Sequence, residues 1–431
     1  MKRKIDAKLH SWKESSARKP LVLRGARQVG KTYAVEHFAR NHFTSLVKID
    51  FAAQASASGM FEGVIEPKTL IPLLKVYAKQ SIDPDTTLIF FDEVQECARA
   101  LTSLKYFQEQ APQYHVIAAG SLLGVALQRD DYSFPVGKVD SLELCPMDFE
   151  EYLWARDEGG LADLIQTSYD NDVHLLFHEQ ALALYDSYVL SGGLPEVLAS
   201  AIDGGEFAAM RRLQNLIVDG YLADMTKYAA AIDSAKILNV WRSVPEQLAK
   251  ENHKFQYATI ASSARAHQYE APINWLKAAG LINLCTRVSE GRAPLKAFEE
   301  QDFFKIYLLD VGILTALYQA EPSDLAPDNN KAARFRGGVT ENYVMQQLLA
   351  QDITPHYWGT ASQSEVEFIF RNSEGQVIPI EVKSGKNVTS RSLTAYKEAH
   401  QPNYIIRCSR KNFGFEKGIR FVPLYAVHCI R

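Results

Sequence analysis

The stretch from Leu21 to Thr32 constrains the fold of this 431-residue chain more than any other. Two glycines, a lysine and a threonine at positions 25, 30, 31 and 32 have the G-x-x-x-x-G-K-[ST] spacing of a phosphate-binding loop. The apolar run before the loop predicts a buried strand, and Lys31 to Arg40 predicts the helix that follows. Glycines let backbone N–H groups converge on a phosphate, and the helix N-terminus adds partial positive charge. The stretch therefore predicts a nucleoside triphosphate site.

The loop residues are expected to act in distinct ways. The Lys31 ammonium is predicted to reach the β- and γ-phosphates and to take part in catalysis, while the Thr32 hydroxyl ligates Mg²⁺. The segment predicted to bind the nucleotide is Gly25, Ala26, Arg27, Gln28, Val29, Gly30, Lys31, Thr32 and Tyr33.

A continuous apolar strand at residues 87–91 ends in Asp92 and Glu93, about sixty residues after the loop. Ligands of open α/β sheets bind at the carboxyl ends of strands, so both acids are expected beside the triphosphate. Asp92 suits a Mg²⁺ ligand acting through water, and Glu93 suits the general base that polarises the attacking water. Ser121 follows the next predicted strand and is a candidate catalytic sensor of the γ-phosphate; an ordinary strand-ending turn is the alternative.

The alternation of strands and helices over residues 1–150 predicts an α/β P-loop NTPase core with a doubly wound parallel sheet. A small P-loop kinase could share this pattern, but the paired acids at 92 and 93 and the long additional segments favour an ATPase. Helical spacing of apolar residues in 151–230 predicts a helical lid. Three helices followed by a hairpin predict a winged-helix-like module in 231–320.

The third helix of that predicted module carries few groups suited to DNA. Lys277 is its one basic residue and Glu270 lies on the same helix, whereas a DNA-reading helix is typically basic. DNA contact and a role in packing or protein contact therefore both stay open for this module.

Residues 330–431 are predicted to form a restriction-endonuclease-like α/β domain. Alternation in two successive strands places Glu367 beside Glu381 and Lys383, which is the PD-(D/E)xK nuclease arrangement. Two carboxylates can hold Mg²⁺ while the lysine activates water, so all three are candidate catalytic residues. The predicted metal ligands are Glu341, Glu367 and Glu381. The alternatives are a nuclease-like fold kept for binding or oligomerisation, and exposed charges on edge strands.

The chain has a net charge of −4, but its acidic and basic residues are unevenly distributed along the sequence. Residues 141–210 contain fourteen acidic and one basic residue, whereas residues 371–431 contain eleven basic and four acidic residues. The basic segment is expected to bind nucleic acid or to pair with the acidic middle of the same chain. Two solvated faces without a partner are the alternative.

Cysteine usage and hydropathy bear on the compartment. The five cysteines are scattered and form no C-x-x-C pair, which favours a reducing compartment over a disulfide framework or a zinc cluster. No run approaches the roughly 20 apolar residues that span a bilayer. We therefore predict a cytoplasmic protein without a membrane contact.

Five segments together resemble one family of AAA-type predicted ATPases of bacteria and archaea, which carries a characteristic C-terminal domain of unknown function. The segments are residues 25–32, 90–96, 134–138, 191–196 and 307–312. The resemblance implies ATP as the nucleotide, a helical lid after the core and a nuclease-like C-terminal domain. Homo-oligomers are common among AAA-type ATPases, so self-association is a further expectation. In the nuclease-like site the first acid is more often Asp, and Glu367 reaches one methylene further.

Two functional hypotheses follow for an ATP- and Mg²⁺-dependent ATPase of this kind. In the first, nucleotide state controls a DNA-directed nuclease-like domain. In the second, the protein is an ATP-driven switch or remodeller of a protein partner, and an inactive nuclease fold serves for docking or oligomerisation.

Overall fold

The computed structural model describes residues 1–126, 134–227, 231–250, 252–326, 329, 332–359, 365–384 and 391–431. The chain divides into two compact units. Unit 1 comprises residues 1–145 and 278–281, and unit 2 comprises residues 146–277 and 282–431. The finer division into four domains stays a prediction.

Unit 1 contains a five-stranded sheet in the order β2-β3-β4-β1-β5, and all its pairings are parallel. All six residues of β3 are buried, as expected for a parallel strand covered on both faces. This confirms the predicted α/β core with a parallel sheet. The strands are β1 (Leu21–Arg24), β2 (Ser45–Asp50), β3 (Thr87–Asp92), β4 (His115–Ala119) and β5 (Asp140–Glu143).

One helix precedes the first strand of unit 1, and the others follow strands β1 to β4 in chain order. Short 3-10 turns at residues 55–61 and 94–96 precede α3 and α4. The helix predicted from Lys31 is present as α2 and begins directly after the phosphate-binding loop. The helices are α1 (Ile5–Glu14), α2 (Lys31–His42), α3 (Pro67–Ala78), α4 (Ala98–Gln110) and α5 (Leu123–Ala126).

Unit 2 begins with a largely helical segment, as the apolar spacing predicted. Among the helices in the described residues, none is long and apolar enough to cross a membrane. The first helices of this unit are α6 (Phe149–Ala155), α7 (Gly159–Asn171), α8 (His178–Ser191), α9 (Pro195–Ile202), α10 (Phe207–Lys227), α11 (Ala231–Leu248), α12 (Tyr257–Ile260) and α13 (Ala266–Ala278).

The rest of unit 2 is built on an eight-stranded mixed sheet in the order β12-β13-β11-β10-β9-β8-β6-β7. Its strands are β6 (Ile282–Val288), β7 (Glu299–Leu308), β8 (His356–Gly359), β9 (Glu365–Arg371), β10 (Val377–Val382), β11 (Ile405–Ser409), β12 (Gly414–Glu416) and β13 (Ile419–Pro423). The accompanying helices are α14 (Val311–Leu317), α15 (Ala333–Ala350) and α16 (Arg391–His400).

The hairpin predicted as a wing forms, but it does not stand apart from the C-terminal sheet. β6 and β7 pair antiparallel, and β6 also pairs in parallel with β8 through Arg287–Tyr357 and Val288–Trp358. This pairing satisfies backbone groups of β6 that a free hairpin edge would expose. The three predicted helices of the module are present as α11, α12 and α13, while its identity as a winged helix stays a prediction.

The strands that carry the nuclease-like residues lie inside the sheet. β9 and β10 pair antiparallel, with Ile380 opposite Phe368, and one further step of this register sets Glu381 opposite Glu367. Each strand has a neighbour on both sides. The alternative of exposed charges on edge strands is therefore wrong, and Glu381 is only 1% exposed.

Two motifs that the chain shares with the resembled family meet within unit 2. The Asp310 carboxylate caps α14 by accepting the Ile313 N–H at 3.1 Å, and it also accepts the Gly193 N–H at 2.6 Å. Gly192 has φ +74°, and a Cβ there would lie 2.0 Å from Asp310 Oδ1. Only glycine fits this close approach, so residues 191–196 and 307–312 act together as a structural junction.

Candidate functional site

The phosphate-binding loop leaves the carboxyl end of β1 with two glycines at positive φ. Gly25 has φ +146°, and a Cβ there would lie 2.3 Å from the Leu144 carbonyl oxygen. Gly30 has φ +91° and caps the N-terminus of the twelve-residue helix α2. The glycines therefore let the backbone pass close to its neighbours and turn directly into a helix whose N-terminus favours anions.

Lys31 folds back onto this loop. Its ammonium donates to the carbonyl oxygens of Gly25 at 3.0 Å and Ala26 at 2.8 Å. Burial lowers the pKa of Lys31 to about 8, although Glu93 and Asp92 oppose the change. A buried cation on a glycine loop at a helix N-terminus fits a bound triphosphate, because the phosphates would bring further negative charge beside the ammonium.

The predicted Mg²⁺ ligands are adjacent. The Thr32 hydroxyl donates to Asp92 Oδ2 at 2.9 Å, and Lys48 Nζ lies 3.3 Å from the same oxygen. Burial raises the pKa of Asp92, while Thr32 and Lys48 act against that rise. A hydroxyl and a carboxylate at this distance are hard oxygen donors of the kind Mg²⁺ prefers, so these residues fit the ion.

Glu93 and Ser121 are in contact. Glu93 has φ +49°, and its Oε2 accepts hydrogen bonds from Ser121 Oγ at 3.1 Å and Gln95 Nε2 at 2.5 Å. The Glu93 N–H donates to Asp92 Oδ1 at 3.1 Å. The structure thus joins the predicted base, the predicted sensor and the predicted metal ligand at the carboxyl ends of β3 and β4.

Sequence reasoning missed three residues of this site. Lys48 reaches Asp92 from the neighbouring strand β2 and could have been suspected as a polar residue in an apolar run. Gln95 follows the two acids in sequence. Arg3 contacts the loop by donating to the carbonyl oxygens of Val29 at 3.0 Å and Cys145 at 2.8 Å, and no sequence signal identifies it.

Tyr33 is the last residue of the predicted nucleotide-binding segment. Its side chain is half exposed, and its ring stacks on that of His37.

The predicted nuclease-like residues are also close to one another. Lys383 Nζ lies 3.4 Å from Glu367 Oε1 and 3.2 Å from Glu381 Oε1. Arg407 Nε, which the sequence analysis did not single out, lies 2.5 Å from Glu381 Oε2. Burial raises the pKa of Glu367 to about 7, although Lys383 opposes that rise. The acid and the E-x-K segment meet as predicted, but two cations hold Glu381.

Glu341 lies among basic and hydroxyl groups. Its Oε2 lies 3.3 Å from Lys305 Nζ and 2.9 Å from His253 Nδ1, and it accepts the Tyr307 hydroxyl at 2.8 Å. Lys305, which is fully buried, also lies 2.5 Å from Glu365 Oε1. Within the described ranges, no group of three or more His, Cys, Asp or Glu side chains could hold a metal ion. Glu341, Glu367 and Glu381, paired as they are, do not fit Mg²⁺.

Three models of known families match separate segments of the chain. The family model described as an AAA domain matches residues 17–153. Two domains of unknown function, DUF8612 and DUF4143, match residues 182–324 and 336–427. No curated protein matches the chain.

Several solved structures share a distant likeness. A Walker-type ATPase of Pyrococcus abyssi is 15% identical, over 74% of this chain and 95% of that chain, with a TM-score of 0.47. The ORC1 protein of Aeropyrum pernix, in complex with DNA, is 12% identical over 74% and 91%, with a TM-score of 0.30. Cdc6p of Pyrobaculum aerophilum is 12% identical over 79% and 93%, with a TM-score of 0.28. At these values the likenesses carry no functional argument.

The AAA match and the site geometry agree. Residues 17–153 contain the glycine loop, Lys31, the Thr32–Asp92 pair and Glu93. This segment is therefore an AAA domain, and the prediction that the protein is an ATPase is confirmed at that level.

Proposed function

We propose that the protein hydrolyses ATP at the phosphate-binding loop, with Glu93 as the general base. Lys31 contacts the phosphates, and Thr32 and Asp92 hold Mg²⁺, which offsets phosphate charge when bound. The observation that carries this proposal is the position of the Glu93 carboxylate. Ser121 and Gln95 donate to its Oε2, and the Glu93 backbone N–H donates to Asp92, the partner of Thr32.

The test compares three variants in Mg²⁺. Glu93→Gln is expected to lower turnover by roughly 10²–10⁴-fold while keeping ATP binding, because the amide cannot accept a proton. Lys31→Ala is expected to lose binding of a fluorescent ATP analogue. Glu96→Gln makes the same isosteric change at an exposed acid three residues on and is the control. Turnover that survives in Glu93→Gln would refute the assignment of the base.

We further propose that nucleotide state serves a protein partner rather than cleavage of DNA. The pairing of the nuclease-like acids with Lys383, Arg407 and Lys305 favours this alternative. So does the basic C-terminal segment, which forms ion pairs with acidic residues of the same unit.

ATP turnover with and without DNA, followed on the same DNA for cuts in Mg²⁺, separates the two alternatives. We expect neither stimulation nor cleavage. Cuts that disappear in Lys383→Ala would instead establish an ATP-coupled nuclease. If the protein binds DNA without cutting it, its affinity for DNA should fall steeply as the salt concentration rises, because phosphate contacts release counterions.

A further inference from the structure

Lys305 is a fully buried lysine at the centre of several charged groups from unit 2. Its ammonium lies 2.5 Å from Glu365 Oε1 and 3.3 Å from Glu341 Oε2, and 5.2 Å from the centre of the Tyr357 ring. It reaches these groups from β7, while the acids come from β9 and α15. Burial alone would lower the pKa of Lys305, but Glu341, Glu365 and Glu367 raise it, so the group stays charged.

The acids around Lys305 are matched by at least as many basic groups. The ion pairs here form two groups. The first contains Lys305, Glu341, Glu365, His253 and Lys254, and the second contains Lys383, Glu367, Glu381 and Arg407. Lys305 also interacts electrostatically with Glu367 of the second group, and we call these nine side chains the Lys305 cluster. Four carboxylates therefore face four permanently basic side chains and a histidine. A divalent ion needs a site with net negative charge, and a fixed ammonium beside the same oxygens repels it.

Two of the carboxylates, those of Glu341 and Glu367, are also satisfied without a metal. Glu341 Oε2 is contacted by an ammonium, an imidazole and the Tyr307 hydroxyl. Glu367 Oε2 accepts the Val382 N–H at 3.4 Å, and its Oε1 faces Lys383. A metal would have to displace these cations from oxygens that are already paired inside the protein.

We propose that Lys305 is the resident cation of this cluster and holds the place that the predicted Mg²⁺ would need. The ammonium links β7, β9 and α15, as a bridging metal would, and the cluster excludes divalent ions. This inference concerns unit 2 alone and is independent of ATP hydrolysis by the AAA domain.

The test measures Mn²⁺ binding to the nucleotide-free full chain, by titration with detection of free Mn²⁺ by electron paramagnetic resonance. Wild type and Glu367→Gln are expected to give the same isotherm, because the cluster takes no metal. Lys305→Met removes the charge and keeps the length of the side chain, and it is expected to gain a site at least about tenfold tighter than any in wild type. Adding Glu367→Gln to Lys305→Met should abolish that site.

Two further variants complete the experiment, one as a control and one in case Lys305→Met does not fold. Lys254→Met removes the lysine whose Nζ lies 3.7 Å from Glu365 Oε2 at the margin of the cluster, and it should gain no comparable site. The double variant Lys305→Met with Glu365→Gln removes both partners of the ion pair, so that Glu365 is not left as a charged acid without its cation. It replaces the single variant if Lys305→Met alone fails to fold. A wild-type Mn²⁺ site that is lost in Glu367→Gln would overturn the proposal. A folded Lys305→Met protein without a new site would overturn it equally.

Discussion

Arg410 donates two hydrogen bonds to the carboxylate of Asp186, at 2.5 and 2.9 Å, across 224 residues of sequence. Two further pairs, Arg420–Asp172 at 2.6 Å and Arg431–Asp170 at 2.5 Å, join the same two segments. The basic end of the chain thus pairs with the acidic middle, which was one of the partners expected from the charge asymmetry. These three arginines are therefore engaged in ion pairs within unit 2.

Arg410 and Asp186 are predicted to stabilise unit 2 as a pair. Arg410→Ala and Asp186→Ala should each lower the free energy of unfolding by about 1 kcal/mol, because the bidentate pair is only partly exposed to solvent. The double variant should cost less than the sum, since each single change already removes the shared interaction. Urea denaturation of the four proteins measures the coupling.

Lys417→Ala is the matched control for that cycle. Its side chain is 87% exposed and lies 3.5 Å from Glu416, its sequence neighbour. This substitution should leave the urea midpoint unchanged. Strictly additive costs for Arg410→Ala and Asp186→Ala would show that the pair contributes nothing beyond its separate side chains.

The loop at residues 25–32 and the acids after β3 could be predicted because their signals are local. Glycine spacing, an apolar strand and the helix that follows fix the geometry within about a dozen residues. The hairpin of β9 and β10 was also predictable, since its two strands are adjacent in sequence and alternate clearly. Its register pairs Ile380 with Phe368, the residues next to Glu381 and Glu367, and Lys383 contacts both acids as the alternation indicated.

Lys383 was predicted beside Glu367 and Glu381, but two other cations near the nuclease-like acids, Lys305 and Arg407, were not. Lys305 reaches Glu365 and Glu341 because β7 and α15 pack together, whereas Arg407 reaches Glu381 because β11 pairs with β10. Such contacts depend on the order of strands in the sheet, and the sequence analysis had assigned β6 and β7 to a separate module. The neighbours of Glu341, which lies on α15, depend on the same packing.

ATP binding is predicted to take up a proton at about pH 8. Burial lowers the pKa of Lys31 to about 8, so near that pH a large part of the nucleotide-free protein lacks this charge. Triphosphate favours the ammonium form, so binding should protonate Lys31, and ATP affinity should fall as pH rises above 8. Calorimetric titrations at pH 8 in buffers of different ionisation enthalpy measure the uptake.

Lys31→Arg tests whether Lys31 is the group that takes up the proton. The guanidinium stays charged over this range, so a variant that still binds ATP should take up less proton, with a flatter affinity profile. Equal uptake in wild type and Lys31→Arg would assign the proton to another group.

Ser121 is predicted to position Glu93. Because Ser121 Oγ donates to Glu93 Oε2, Ser121→Ala removes one of two hydrogen bonds that fix the carboxylate. We expect kcat to fall about tenfold, or ~1.4 kcal/mol in activation free energy, with KM for ATP changed less than about twofold. Steady-state ATP turnover measures both constants.

Ser103→Ala is the control for Ser121. Ser103 is buried in α4, and its hydroxyl donates to the Ala100 carbonyl. That substitution should leave kcat unchanged. An unaltered kcat in Ser121→Ala would remove Ser121 from the catalytic arrangement and leave the strand-ending turn as its role.

The junction at Asp310 is predicted to make unit 2 less stable as pH rises from 4 to 6. Burial raises the pKa of Asp310 to about 6, although the N–H groups of Gly193 and Ile313 act against that rise. In this window the folded state holds a proton that the unfolded chain has released, so the free energy of unfolding falls with pH. Asp310→Asn removes the titration, and the stability of wild type relative to this variant should therefore decline between pH 4 and 6. Urea denaturation at successive pH values measures the difference, with the exposed Asp157→Asn variant as control. A constant difference would mean that Asp310 titrates near its ordinary pKa in the folded protein, because the hydrogen bonds to its carboxylate offset the effect of burial.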